Sequence, residues 1–136
     1  MWLSDKAARA GMDADPTAEI CSISIGGEDA AAIAAGEMRE LETVAPGGYV
    51  WLPETGREAL VISCGDGSRV MAGVAGSTAP AGMKPGEVYI MSKAASVYLM
   101  NDGTVKVNGN ITLTGNADVT GVVNITGALI VNGVVK

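Results

Sequence analysis

The chain has 136 residues and a formal net charge of −6, with nine lysines and arginines scattered among fifteen acidic residues. No basic stripe is present to neutralise phosphates, which argues against a nucleic-acid partner, and the complete absence of histidine removes most metal and acid-base designs. Phenylalanine is absent, aromatics make up 4% and glycine reaches 19 residues, a balance that favours thin all-β architecture with one small core and one appendage.

Residues 1–17 are small and polar, close on Pro16, and read as an N-terminal arm. They lack the apolar centre of a signal peptide, and no apolar run reaches the about 18 residues of a membrane span. Assembly in a cytosol is therefore expected. Residues 18–78 read as a small barrel of five or so short strands with turn punctuation. "EICSISI" opens it, "AAAIAA" between glycines reads as a loop or one helical turn, and "EMRELETV" follows. "APGG" then turns the chain into "YVWLP", and Gly65, Asp66 and Gly67 join the apolar runs of a hairpin. Cys21 and Cys64 each sit in an apolar run, where cysteine serves as a small buried hydrophobe.

"GSTAPAGMKPG", residues 76–86, has the glycine, proline and serine content of a linker. Residues 79–102 form a connector containing the strands "EVYIMS" and "SVYLM", closed by the turn Asn101-Asp102-Gly103.

From there the chain repeats every six residues, with glycine at Gly103, Gly109, Gly115, Gly121, Gly127 and Gly133. These glycines read as repeat corners, where the lack of a Cβ lets a strand bend. The second and fourth residues after each are Val105, Val107, Ile111, Leu113, Ala117, Val119, Val123, Ile125, Leu129 and Val131, then Val135. Because strand side chains alternate, these fall on one face. Residues 104–120 on the other face are polar throughout. Asn108-Gly109 and Asn132-Gly133 are hairpin dipeptides taken singly, but the unbroken phase reads them as corners. A lone strand of this kind would leave its apolar face wet and its edges unpaired. A homotrimeric β-helix with Val105, Val107, Ile111, Leu113, Val119, Val123, Ile125, Leu129, Val131 and Val135 in its core is preferred. The competing single-chain left-handed hexapeptide helix asks for one large aliphatic residue per six, where this repeat offers two.

The order of parts resembles the phage Mu-type baseplate spike family, also called baseplate assembly protein V, over residues 19–136. The marks are Pro53 and Gly56 before a barrel strand, Gly65-Asp66 with Arg69 in the hairpin, Pro85-Gly86-Glu87 entering the next strand, and Asp102-Gly103 before the repeat. The resemblance implies an OB-like barrel followed by a trimeric spike in a virion tail baseplate, bound to tail hub or baseplate proteins and driven into the host envelope when the sheath contracts. Family members often end in a His-x-His pair that binds iron. With no histidine here, no cofactor or metal is expected, and the end is expected to be bare or capped by a separate PAAR-like tip protein.

Three readings compete. A puncturing device needs only shape, stiffness and assembly contacts, and no enzymatic activity. A hexapeptide-repeat acyltransferase would normally need a histidine base. A carbohydrate-binding adhesin tail would place aromatics or carboxylates on the polar face, which carries asparagine and threonine instead. Glu40 and Glu42 read as a solvated strand edge, and Asp13, Asp15, Glu28 and Asp29 as loop residues without a calcium-loop pattern. Beyond Thr120 the outward face acquires Val122, Ile130 and Val134. These are the candidate contact for a tip protein or for host envelope lipid.

Overall fold

The computed structural model of the chain describes residues 17–132, 134 and 135. The N-terminal arm, apart from Thr17, and the corner at Gly133 lie outside the described residues. The chain divides into two units, Met1–Ala79 and Pro80–Lys136. All regular structure among the described residues is β.

The first unit is one sheet of β1 (Ala18–Ile25), β2 (Ala31–Ile33), β3 (Glu37–Met38), β4 (Glu42–Thr43), β5 (Glu58–Ser63) and β6 (Arg69–Val74), in the order β3-β2-β1-β5-β6-β4. Its pairs are antiparallel except β4 with β6, which is parallel. The edge strands β3 and β4 are joined by residues 39–41 alone. In a flat sheet of six strands the edges would stand about 24 Å apart, whereas the chain from Met38 to Glu42 reaches at most about 14 Å. The sheet therefore curls into a half-barrel.

The link works through Glu40, a non-glycine residue at φ 53°. This left-handed kink breaks "EMRELETV" into two strands at opposite edges and turns Leu41 inward. Leu41 is buried, and its N–H donates to the Ala30 carbonyl at 2.9 Å. Inside the curl lie Cys21 and Ile23 from β1, Ala59 and Val61 from β5, Met71 from β6, Met38, and Ala30, Ala31 and Ala32. Small residues dominate because tight curling leaves little room between strands. Burial pushes the Cys21 thiol above its ordinary pKa, with Glu19 adding to the rise. Cys64 is half-buried, and both cysteines are free.

Two local expectations are corrected. "AAAIAA" is neither loop nor helical turn: Ala31, Ala32 and Ile33 form β2, opposite Ile25, Ile23 and Ser22, because two fully buried alanines fit against β1 where larger residues would not. "YVWLP" forms no strand. Tyr49 closes a turn onto the Pro46 carbonyl at 3.0 Å, Trp51 donates its indole N–H to the Val44 carbonyl at 3.2 Å, and Pro53 has no amide hydrogen to offer a neighbour. The hairpin between β5 and β6 forms around Gly65-Asp66-Gly67, with the Cys64 amide donating to Ser68 at 2.8 Å. Its Asp66 carboxylate accepts from the Ser68 hydroxyl and amide, which holds the carboxyl below its usual range.

The second unit contains an antiparallel meander of β7 (Val88–Met91), β8 (Ser96–Leu99) and β9 (Val105–Asn108). Asn101-Asp102-Gly103 makes the turn between β8 and β9, with the Gly103 amide donating to Met100 at 3.1 Å. The first hexapeptide therefore belongs to this sheet rather than to a free repeat. Near the other end, β10 (Ile130–Val131) pairs antiparallel with β11 (Val134–Val135). Asn132, at φ 47°, begins a reversal that the six-residue phase had argued against. The asparagine accepts left-handed backbone that Thr114, Thr120 and Thr126 resist before Gly115, Gly121 and Gly127; Asn108 is instead held extended in β9.

Candidate assembly surface

Strand register sorts the meander into rows. Val88, Leu99 and Val105 lie side by side, as do Ile90, Val97 and Val107. Alternation puts both rows on one face, and all six residues are exposed or half-buried. The rows between them, Tyr89-Tyr98-Lys106 and Met91-Ser96-Asn108, occupy the opposite face. There Tyr89 and Tyr98 meet edge to face, with centroids 5.5 Å apart.

Glu87 fastens the start of this sheet. Its carboxylate accepts from the Lys84 amide at 2.7 Å, the Asn101 amide at 2.9 Å and the Tyr98 hydroxyl at 2.9 Å. The Lys84 and Asn101 amides, followed by Tyr98, hold its carboxyl below the ordinary range. Desolvation, followed by the bond to Glu87, pushes Tyr98 up. Asn101 also donates its side-chain amide to the Pro85 carbonyl at 3.0 Å, and the Asp102 carboxylate accepts from the Thr104 amide at 2.9 Å.

Past β9 the chain makes no strand until β10. It bends at Gly109, Gly115, Gly121 and Gly127, whose φ values are 133°, 129°, 133° and 126°. Four corners six residues apart thus share one backbone conformation that side chains resist. Gly103, at φ 87°, belongs to the turn instead. A Cβ at Gly109 would lie 3.1 Å from that of Ala95, while nothing stands within 4 Å at Gly115, Gly121 or Gly127.

Among the described residues, 110–129 make no hydrogen bond within the chain. The single chain therefore does not wind this segment into a β-helix. Ile111, Leu113, Val119, Val123, Ile125, Leu129 and Val131 are all exposed, from 40% at Leu129 to 73% at Ile111. The sequence thus finds the apolar series, and the structure places all of it in the open along one chain.

The end differs from the expected register. Paired residues of a hairpin share a face, so Ile130 goes with Val135. Val135 therefore leaves the face of Val131 assigned to the core, and the side chain of Val134 lies outside the described residues. Val122 is 85% exposed. What the sequence reading missed is the apolar face of β7 and β8. Its signal is the alternation in "VYIM" and "SVYL", hidden by tyrosines on the other face.

Among the described residues no three His, Cys, Asp or Glu side chains gather to hold a metal. Glu40 and Glu42 are exposed, as are Glu28 and Asp29. No family model, curated protein or solved structure matches this chain.

Proposed function

We propose that this chain is the trimeric central spike of a contractile tail, in a phage or phage-like injection system, and that it punctures the host envelope mechanically when the sheath contracts. The observation that carries the reading is the repeat. From Gly109 to Gly127 its glycines hold one conformation at a fixed spacing, while the large apolar residues between and after them, Ile111 to Leu129, stand exposed. A regular backbone with unpaired edges and an uncovered apolar face is half of an interface. Copies of the same chain wound about a common axis supply the other half with the same period.

The first unit supports the same reading. With β3 and β4 taken as two pieces of one strand, its sheet order becomes β1-β2-β3/β4-β6-β5 returning to β1, the path of a five-stranded OB-like barrel. That end would dock on tail hub or baseplate proteins. The far end would meet host envelope lipid or a PAAR-like tip protein. The role needs neither catalysis nor cofactor.

Light scattering on the purified chain tests the assembly, with a mass of three chains expected and a stable monomer sinking the proposal. Gold-labelled antibody on intact particles tests the place. Label along the sheath instead of at the distal end would rule out a spike.

A further inference from the structure

The apolar face of the β7–β9 meander runs into the repeat without a change of phase. Val105 and Val107 belong to the rows of Val88, Ile90, Val97 and Leu99 and also begin the odd-numbered series that continues at Ile111 and Leu113. Whatever covers the apolar side of the repeat therefore extends onto this sheet. We propose that the meander is a trimerisation collar that seeds the spike and sets the register of its three tails, its apolar face covered by the same face of two further copies. The proposal rests on the trimeric reading above.

Three observations name a second copy as the occupant. Around a three-fold axis the residues nearest the axis meet their own equivalents, so a charge there would face like charge. All six residues of the face are aliphatic and neutral. The one charged residue in the three strands, Lys106, falls on the opposite face.

The meander also carries hydrogen bonds within one chain, whereas residues 110–129 carry none. Its strands are paired, its start is tied through Glu87 to Lys84, Tyr98 and Asn101, and its tyrosines meet edge to face. Residues 110–129 have no bond of their own and must be ordered entirely by association, at full conformational cost. Association thus begins where the cost is already met.

Finally, a repeat of period six permits slippage. Sliding one tail by six residues returns glycine to glycine and aliphatic to aliphatic, so the repeat specifies its own alignment weakly. The meander does not repeat, and its six-residue face fixes one alignment for the tails that leave it.

Full-length variants test this. The wild type and Lys106→Asp, on the outer face of the collar, should both return the mass of three chains. Val97→Asp, at the centre of the apolar face, should lose the trimer peak. Val123→Asp, in the repeat, should keep it while the segment beyond Gly109 is digested at least ten times faster. A Val97→Asp chain with wild-type mass and melting, or a Val123→Asp chain that dissociates as fully as Val97→Asp, would overturn the collar and leave the spike standing. A monomeric wild type would instead remove the spike reading itself.

Cross-linking covers the case in which Val97→Asp does not fold. In a Cys64→Ala chain, Val97→Cys should be joined between chains by a short bismaleimide, and Lys106→Cys should not. Equal cross-linking at both positions would contradict an inward apolar face.

Discussion

The Tyr98 hydroxyl donates to the Glu87 carboxylate at 2.9 Å, from the strand next to the one that Glu87 leads into. Because the folded state holds the Glu87 carboxyl below its ordinary range, its contribution is complete above the unfolded carboxylate pKa and disappears as pH falls through the folded value. Acid should therefore loosen the start of the meander. Glu87→Gln, which replaces an all-acceptor group by one with its own donors, should lower the melting temperature at neutral pH and flatten its acid dependence. Circular dichroism melts across the acid range measure both, and a variant as acid-sensitive as wild type would assign the effect elsewhere.

A Cβ at Gly26 would lie 2.5 Å from the Pro53 carbonyl oxygen, where the Gly26 amide also bonds Thr55 Oγ1 at 3.0 Å. Gly26→Ala must displace backbone and should destabilise the first unit by about 1–3 kcal/mol. Gly47→Ala, with open space around it and no left-handed φ, should be tolerated. Urea unfolding compares the two directly.

Met71 is fully buried at the centre of the curl, while Ile20 on β1 is 53% exposed. Met71→Ala should cost about 2–5 kcal/mol through lost burial and the cavity left behind. Ile20→Ala should cost under about 1 kcal/mol. Similar midpoints for both variants in chemical denaturation would mean that the inner face is misassigned.

At Gly121 the constraint within one chain is φ alone, since nothing lies within 4 Å. Gly121→Val forces a β-branched residue to φ 133° and should cost about 1–3 kcal/mol per chain, seen as an earlier melt of the assembled form. Thr120→Val should melt with the wild type. Equal losses would show that the corner conformation is not what the glycine serves.

Strand alternation assigns the neighbours Leu113 and Thr112 to opposite faces of the repeat. Leu113→Asp would bring like charges together around the proposed axis and should expose the segment after Gly109 to protease. Thr112→Asp should leave it resistant. Matching digestion rates would put the apolar series in the wrong register.

The all-β character and the regular corners at Gly109, Gly115, Gly121 and Gly127 are legible in the sequence because strand alternation and glycine spacing are local properties. The hairpin at Gly65-Asp66-Gly67 and the turn at Asp102-Gly103 are legible for the same reason. Tertiary structure decided what depends on distant partners. "EMRELETV" splits at Glu40 because Met38 pairs with β2 and Thr43 with β6, so its two halves form the opposite edges of a curled sheet. "AAAIAA" is a strand because Ala31 and Ala32 fill the narrow space beside β1. β9 leaves the repeat because β8 offers Val105–Asn108 a neighbouring strand, and no comparable strand accompanies residues 110–129. At Asn132 one pattern allowed both a corner and a reversal. Pairing Ile130 with Val135 chose the reversal, because a strand's direction is fixed by what its backbone bonds to and not by the order of its side chains.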